Sequence, residues 1–185
     1  MAKVVSCMVL LFALLMVTAC RSSNDRGEPA EKVLAQSISK SVLSVDPIDE
    51  TGLKKLIRER NGRVLLLNIW ATWCAPCVAE FPDLVKLSQT YDTTGFEVVA
   101  ISADYPDEVD TKIIPFLKKM NVPFPVYVAQ FEHQEDFING VNRSWSGALP
   151  ASLIYDSHGK ERFFHVGQQS FGEFKLEVDK IKGGL

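Results

Sequence analysis

Cys74 and Cys77 are separated by two residues in the run Trp73-Cys74-Ala75-Pro76-Cys77. An almost continuous apolar run precedes the pair and a helical pattern follows it, so the first turn of that helix should carry both sulfurs. Unpaired backbone N–H groups and the helix dipole stabilise a thiolate there. This placement makes Cys74, at the turn, the better nucleophile. Cys77 lies one helical turn on and can close a small disulfide ring with it. Pro76 suits a first turn, where its missing N–H has no partner to lose. A purely structural disulfide over so short a loop would constrain almost no chain. A zinc site would need a second Cys or His pair, and His133, His158 and His165 are isolated. Dithiol redox catalysis is therefore expected, with no metal and no cofactor beyond the Cys74-Cys77 disulfide.

The elements that must position this pair can be read from the surrounding pattern. Leu53, Leu56 and Ile57 mark a helix face ending at Asn61-Gly62, a favourable carboxy-terminal cap. Val64 to Trp70 reads as a strand buried on both faces. Cys77 to about Tyr91 reads as a helix with Phe81, Leu84 and Val85 inward and a kink at Pro82. Phe96 to Ser102 is a second buried strand, and strand, helix, strand implies a parallel crossover. Thr111 to Met120 predicts a helix that starts or bends at Pro115, and Phe124 to Val128 a short strand. Ser152–Asp156 and Arg162–Val166 flank the turn residues Ser157-His158-Gly159-Lys160 as an antiparallel hairpin. Ser170 and Glu173 form a capping box for a last helix carrying Phe171, Phe174, Val178 and Ile181.

The 185 residues suffice for one domain. With 20 basic against 23 acidic side chains the formal charge is −3, and no basic excess exists to neutralise a phosphate backbone. Nucleic acid is not an expected partner. Lys3 is followed by an apolar run from Val4 to Val17, too short to span ~30 Å of hydrocarbon and suited to a signal-peptide core. Its end, Val17-Thr18-Ala19-Cys20, resembles the lipobox of bacterial lipoproteins, which implies lipidation of Cys20 after removal of residues 1–19. The alternative is simple secretion after Ala19. Residues 20–30 then form a flexible tether, with a weak helical pattern from Ala30 to Val45 and a domain over 31–185. Outside the cytoplasm, with Cys7 removed and Cys20 modified, only Cys74 and Cys77 remain as thiols.

Asn68-Ile69-Trp70-Ala71-Thr72-Trp73-Cys74-Ala75-Pro76-Cys77 resembles the active-site segment of thioredoxin-fold proteins, in particular the membrane-tethered TlpA/ResA-like thiol-disulfide oxidoreductases of bacterial envelopes. The resemblance continues through Glu80-Phe81-Pro82, Gly147-Ala148-Leu149-Pro150 and Leu153-Ile154-Tyr155-Asp156. It implies an α/β thioredoxin-like fold, a central mixed sheet flanked by helices, with an inserted helix of the TlpA type within Tyr105 to Met120 that shapes partner choice. It also implies a cis Pro150 against the CxxC, so that Trp73, Ala75, Pro76, Leu149 and Pro150 would bind substrate. Thioredoxin carries an acid six residues before its first Cys, where this chain has Asn68. Glu80, one turn beyond Cys77, matches a Glu used by ResA-like proteins and is the candidate base, with a solvated helix carboxylate as the alternative.

Trp70 is expected in the core, Trp73 at the site, and Trp145 in either place. The implied function is a lipid-anchored monomer on the periplasmic side of a membrane. It would reduce disulfides of extracytoplasmic proteins, as in cytochrome c maturation, with electrons from a membrane thiol reductant. Pro76 beside Cys77 resembles the end of the thioredoxin motif and favours that direction. The alternatives are an envelope dithiol oxidase, a peroxidase, which would want Thr where Ala71 stands, and a copper chaperone, whose relatives of this fold place three residues between the cysteines and add a distal His.

Overall fold

The computed structural model describes residues 44–183; the signal peptide, Cys20, the tether and most of the helix expected from Ala30 lie outside the described residues. The strands are β1 (Val45–Ile48), β2 (Val64–Trp70), β3 (Phe96–Ser102), β4 (Val126–Ala129), β5 (Ala151–Tyr155) and β6 (Glu161–Val166). The helices are α1 (Glu50–Arg58), α2 (Ala75–Thr90), α3 (Ile114–Met120), α4 (Gln134–Val141) and α5 (Phe171–Lys182). One six-stranded sheet has the order β1-β4-β3-β2-β5-β6. β1, β4, β3 and β2 run parallel, while β5 and β6 pair antiparallel.

β2 is buried along its whole length and sits between β3 and β5, which explains its unbroken apolar sequence. Its side chains alternate between two cores. Leu66 and Trp70 join residues of α2 and α5, and Leu65, Leu67 and Ile69 join residues of α1 and α4. Asn68 falls on the same side as Leu66 and Trp70, facing the helix that carries the cysteines. Burial of polar Asn68 in that layer demands hydrogen-bond partners.

Several boundaries differ from the sequence expectation. Val45 opens β1 rather than closing a helix, and β1 and α4 have no counterpart in the expected elements. α1 stops at Arg58, before Asn61-Gly62, because Arg60 turns inward to donate to the Leu56 carbonyl and pair with Glu97. Asn61 and Gly62, at φ 49° and 81°, then make the turn into β2. The fourth strand begins at Val126, since Phe124 and Pro125 serve as its lead-in, with the Pro125 carbonyl accepting from Ala100 N. The expected helix from Thr111 is built in three pieces: a 3₁₀ turn over Pro106–Glu108, a π turn over Val109–Ile113, and α3 with Pro115 in its first turn. Phe116 of α3 packs on Trp70 and Phe81, with ring centroids 4.8 and 4.9 Å away, so the inserted helix braces the strand and helix that flank the cysteines.

Candidate active site

The turn between β2 and α2 carries the cysteines, and Cys74 is the N-cap of α2. Its Sγ accepts from Cys77 N at 3.3 Å, and Cys74 N donates to the Ala71 carbonyl at 3.2 Å. Cys74 and Cys77 form a disulfide with Cα atoms 5.2 Å apart. Cys74 is 6% exposed and Cys77 1%, so Cys74 is the sulfur nearer solvent. Ala75 and Pro76 are exposed beside them. Trp73 is 66% exposed and walls a groove of about 530 Å³ shared with Asp104, Tyr105, Phe131, Gln134 and Phe137.

The Leu149-Pro150 peptide is cis, as the resemblance implied. Pro150 is buried, and Leu149 packs against both cores, one of which contains the two cysteines. Trp145 is a core residue whose Nε1 donates to the Ala148 carbonyl at 2.8 Å, and so supports the loop before Pro150. Trp70 is fully buried, as expected. His133 and His158 are exposed in loops, and His165 lies on the exposed β6 strand.

Glu80 is fully buried, which removes the reading of a solvated helix carboxylate. Its Oε1 accepts from Asn68 Nδ2 at 2.8 Å and its Oε2 from Gln169 N at 2.6 Å. Asn68 Nδ2 also donates to Ser152 Oγ at 3.0 Å. Burial drives the Glu80 carboxyl up to about 7; the Gln169 N–H and the Asn68 amide pull it down, and nearby Asp83 adds a smaller push up. A buried carboxyl poised near neutrality one helical turn from Cys77 is suited to proton transfer.

In the sequence, Asn68 stands out only as an amide in the place of an acid. The sole polar residue in Val64–Trp70 had to find partners, and that was the available signal. Ser152 and Gln169 offered no comparable cue. Asp104 was also missed; its carboxylate holds Thr72 through both the backbone N–H (2.9 Å) and the hydroxyl (2.6 Å).

Residues 42–163 match the AhpC/TSA family. A Bacillus cereus protein named thiol-disulfide oxidoreductase ResA is 30% identical over 134 residues, 72% of each chain. A Bacillus thuringiensis subsp. konkukian protein of the same name is 35% identical over the same share. Among solved structures, a thiol:disulfide interchange protein of the thioredoxin family from Chlorobium tepidum is similar with 27% identity and a TM-score of 0.58, covering 67% of this chain and 83% of that one.

Proposed function

The chain belongs to the AhpC/TSA family and is a thiol-disulfide oxidoreductase of thioredoxin-like fold, and from that premise we propose that it reduces disulfides of extracytoplasmic partner proteins while held to a membrane through lipidated Cys20. The observation that carries the reaction is the Cys74-Cys77 pair at the start of α2 with buried Glu80 one turn behind it. In the reducing direction, the Cys74 thiolate attacks one sulfur of the partner disulfide. A mixed disulfide forms and the partner's other sulfur leaves as a thiolate. Cys77 then gives its proton to Glu80 and attacks Cys74 Sγ. This expels the partner's second sulfur, so the partner gains two electrons and the domain is left as the Cys74-Cys77 disulfide. A membrane dithiol donor must return those electrons.

Trp73, Ala75 and Pro76 are exposed beside the cysteines and Leu149 packs on the cluster that contains them, which supports a partner surface made of these residues together with Pro150. The lipobox-like Val17-Thr18-Ala19-Cys20 supports an anchor outside the cytoplasm, and the name of the ResA relatives supports thiol-disulfide exchange; the reducing direction and a place in cytochrome c maturation rest on the resemblance of the motif to the TlpA/ResA-like branch. A Cys77→Ser variant should accumulate a mixed disulfide through Cys74 in membrane extracts, and the partner released by dithiothreitol should carry a reducible cysteine pair. The parent should reduce insulin with dithiothreitol as donor, and labelled fatty acid should enter the parent and not Cys20→Ala. Absence of both insulin reduction and mixed disulfide would reject the enzyme reading, whereas a processed, lipid-free parent would reject only the anchor.

A further inference from the structure

The turn Ala71-Thr72-Trp73 joins the central strand to the nucleophile, and side-chain bonds from across the sheet reach it through Asp104, immediately beyond β3. Asp104 is 3% exposed. Its Oδ2 accepts from Thr72 N at 2.9 Å and from Ser102 Oγ at 2.5 Å, and its Oδ1 accepts from Thr72 Oγ1 at 2.6 Å. Asp104 N in turn donates to Ser102 Oγ at 3.0 Å. Backbone bonding continues the link, since Ala103 N donates to the Trp70 carbonyl at 2.8 Å. Both oxygens of one buried carboxylate are thus committed to one residue of the turn, and the carboxylate is itself pinned to β3. Charge-assisted hydrogen bonds of this kind are about twice as strong as neutral ones.

We propose that Asp104 is a positioning residue for the reduced enzyme, holding Thr72 so that Cys74 keeps its orientation once the disulfide is open. This rests on the oxidoreductase reading above. In the oxidised form the covalent ring with Cys77 holds Cys74. On reduction that bond is gone; the helix-start bonds from Cys77 N and Val78 N still hold the Cys74 end, and the turn before it depends on the Cys74 N to Ala71 carbonyl bond and on the clamp from Asp104. The clamp therefore matters more to the dithiol than to the disulfide. A residue that merely stabilised the fold would support both forms equally.

The test is the dithiol–disulfide equilibrium constant, measured against glutathione buffers without any partner protein, so that its outcome is independent of the proposed direction of electron flow. Asp104→Ala should shift the equilibrium toward the disulfide by on the order of tenfold, equivalent to about 30 mV for a two-electron couple. Thr72→Val, which keeps the side-chain shape and loses only the hydroxyl bond, should shift it in the same sense by less. Val178→Ala, a truncation in the buried face of α5, should lower the melting temperature with the equilibrium unchanged. Kinetically, Asp104→Ala should lower kcat with insulin more than it raises KM, because misorientation of a bound nucleophile costs rate in the bound complex. If Asp104→Ala does not fold, the sign of the Thr72→Val shift decides. An equilibrium constant equal to the parent's in both variants, or one moved as far by Val178→Ala, would overturn the proposal.

Discussion

Asn68 and Glu80, twelve residues apart in sequence and both buried, meet at 2.8 Å between the amide Nδ2 and the carboxylate Oε1. The amide that stands where thioredoxin has an acid is therefore a donor to an acid on the next helix. In the proposed mechanism the proton-handling group sits on α2 and not on the strand, and Asn68 of the strand donates a hydrogen bond to it. Asn68 and Gln169 hold the charged form of Glu80 while burial opposes it, and the balance leaves the carboxyl near neutrality.

Glu80→Gln replaces the base with an amide of the same size. General-base assistance is worth ~10²–10⁴-fold, and the loss should appear in release of the mixed disulfide. In the parent, the rate of disulfide reduction should rise as pH passes through about 7, where Glu80 ionises. Stopped-flow traces of Glu80→Gln should lack that limb. A variant that retains both the rate and the limb would move the base to water or to another group.

The same carboxyl should make the fold less stable as pH rises. The folded state holds the Glu80 proton up to about pH 7, whereas the unfolded chain releases it near the ordinary value of 4.5. Folding therefore takes up a proton between those values, and stability falls across that window by at most ~1.4 kcal/mol per pH unit. Thermal unfolding should show the parent melting lower at pH 7.5 than at pH 5.5. Glu80→Gln should flatten that difference, and an unaltered slope would mean that Glu80 ionises near its unperturbed value.

Cys74 should be alkylated first in the fully reduced protein. It is the N-cap of α2 and nearer solvent, while Cys77 lies beneath it. A brief iodoacetamide pulse followed by peptide mapping should place most label on Cys74. Predominant label on Cys77 would reverse the roles assigned to the two sulfurs.

What was readable in the sequence tracks the physics that set it. β2 and β3 occupy the expected residues because strands buried on both faces carry unbroken apolar runs. The capping box at Ser170 and Glu173 forms as expected, since both of its bonds are local. β1 was hidden because Val45-Asp46-Pro47-Ile48 has little apolar pattern and is defined by pairing with β4. The Thr72–Asp104 clamp was hidden for a similar reason: thirty-two residues separate its halves, and neither side chain is unusual where it stands. Contacts made across the sheet leave little trace in local spacing, and the parts of the site made that way are the ones the sequence did not show.

The inserted helix should stabilise the site through one aromatic side chain. Phe116 is half-buried and contacts Trp70 at the end of β2 and Phe81 in α2, while Trp70 and Phe81 meet edge-on at 4.4 Å. The three rings lie behind the turn that bears Cys74, so their packing connects the segment from Tyr105 to Met120 with the redox pair. Truncating a fully buried Phe to Ala costs ~3–5 kcal/mol, and a half-buried one should cost about half of that. For a domain of this size each kcal/mol lowers the melting temperature by ~2–4 °C. Phe116→Ala should therefore melt roughly 5 °C lower, and Phe116→Leu should recover much of the loss by refilling the space. Differential scanning calorimetry of the oxidised forms checks both values. A Phe116→Ala melting temperature within a degree of the parent would show that α3 is an appendage that lends Trp70 and Phe81 no support.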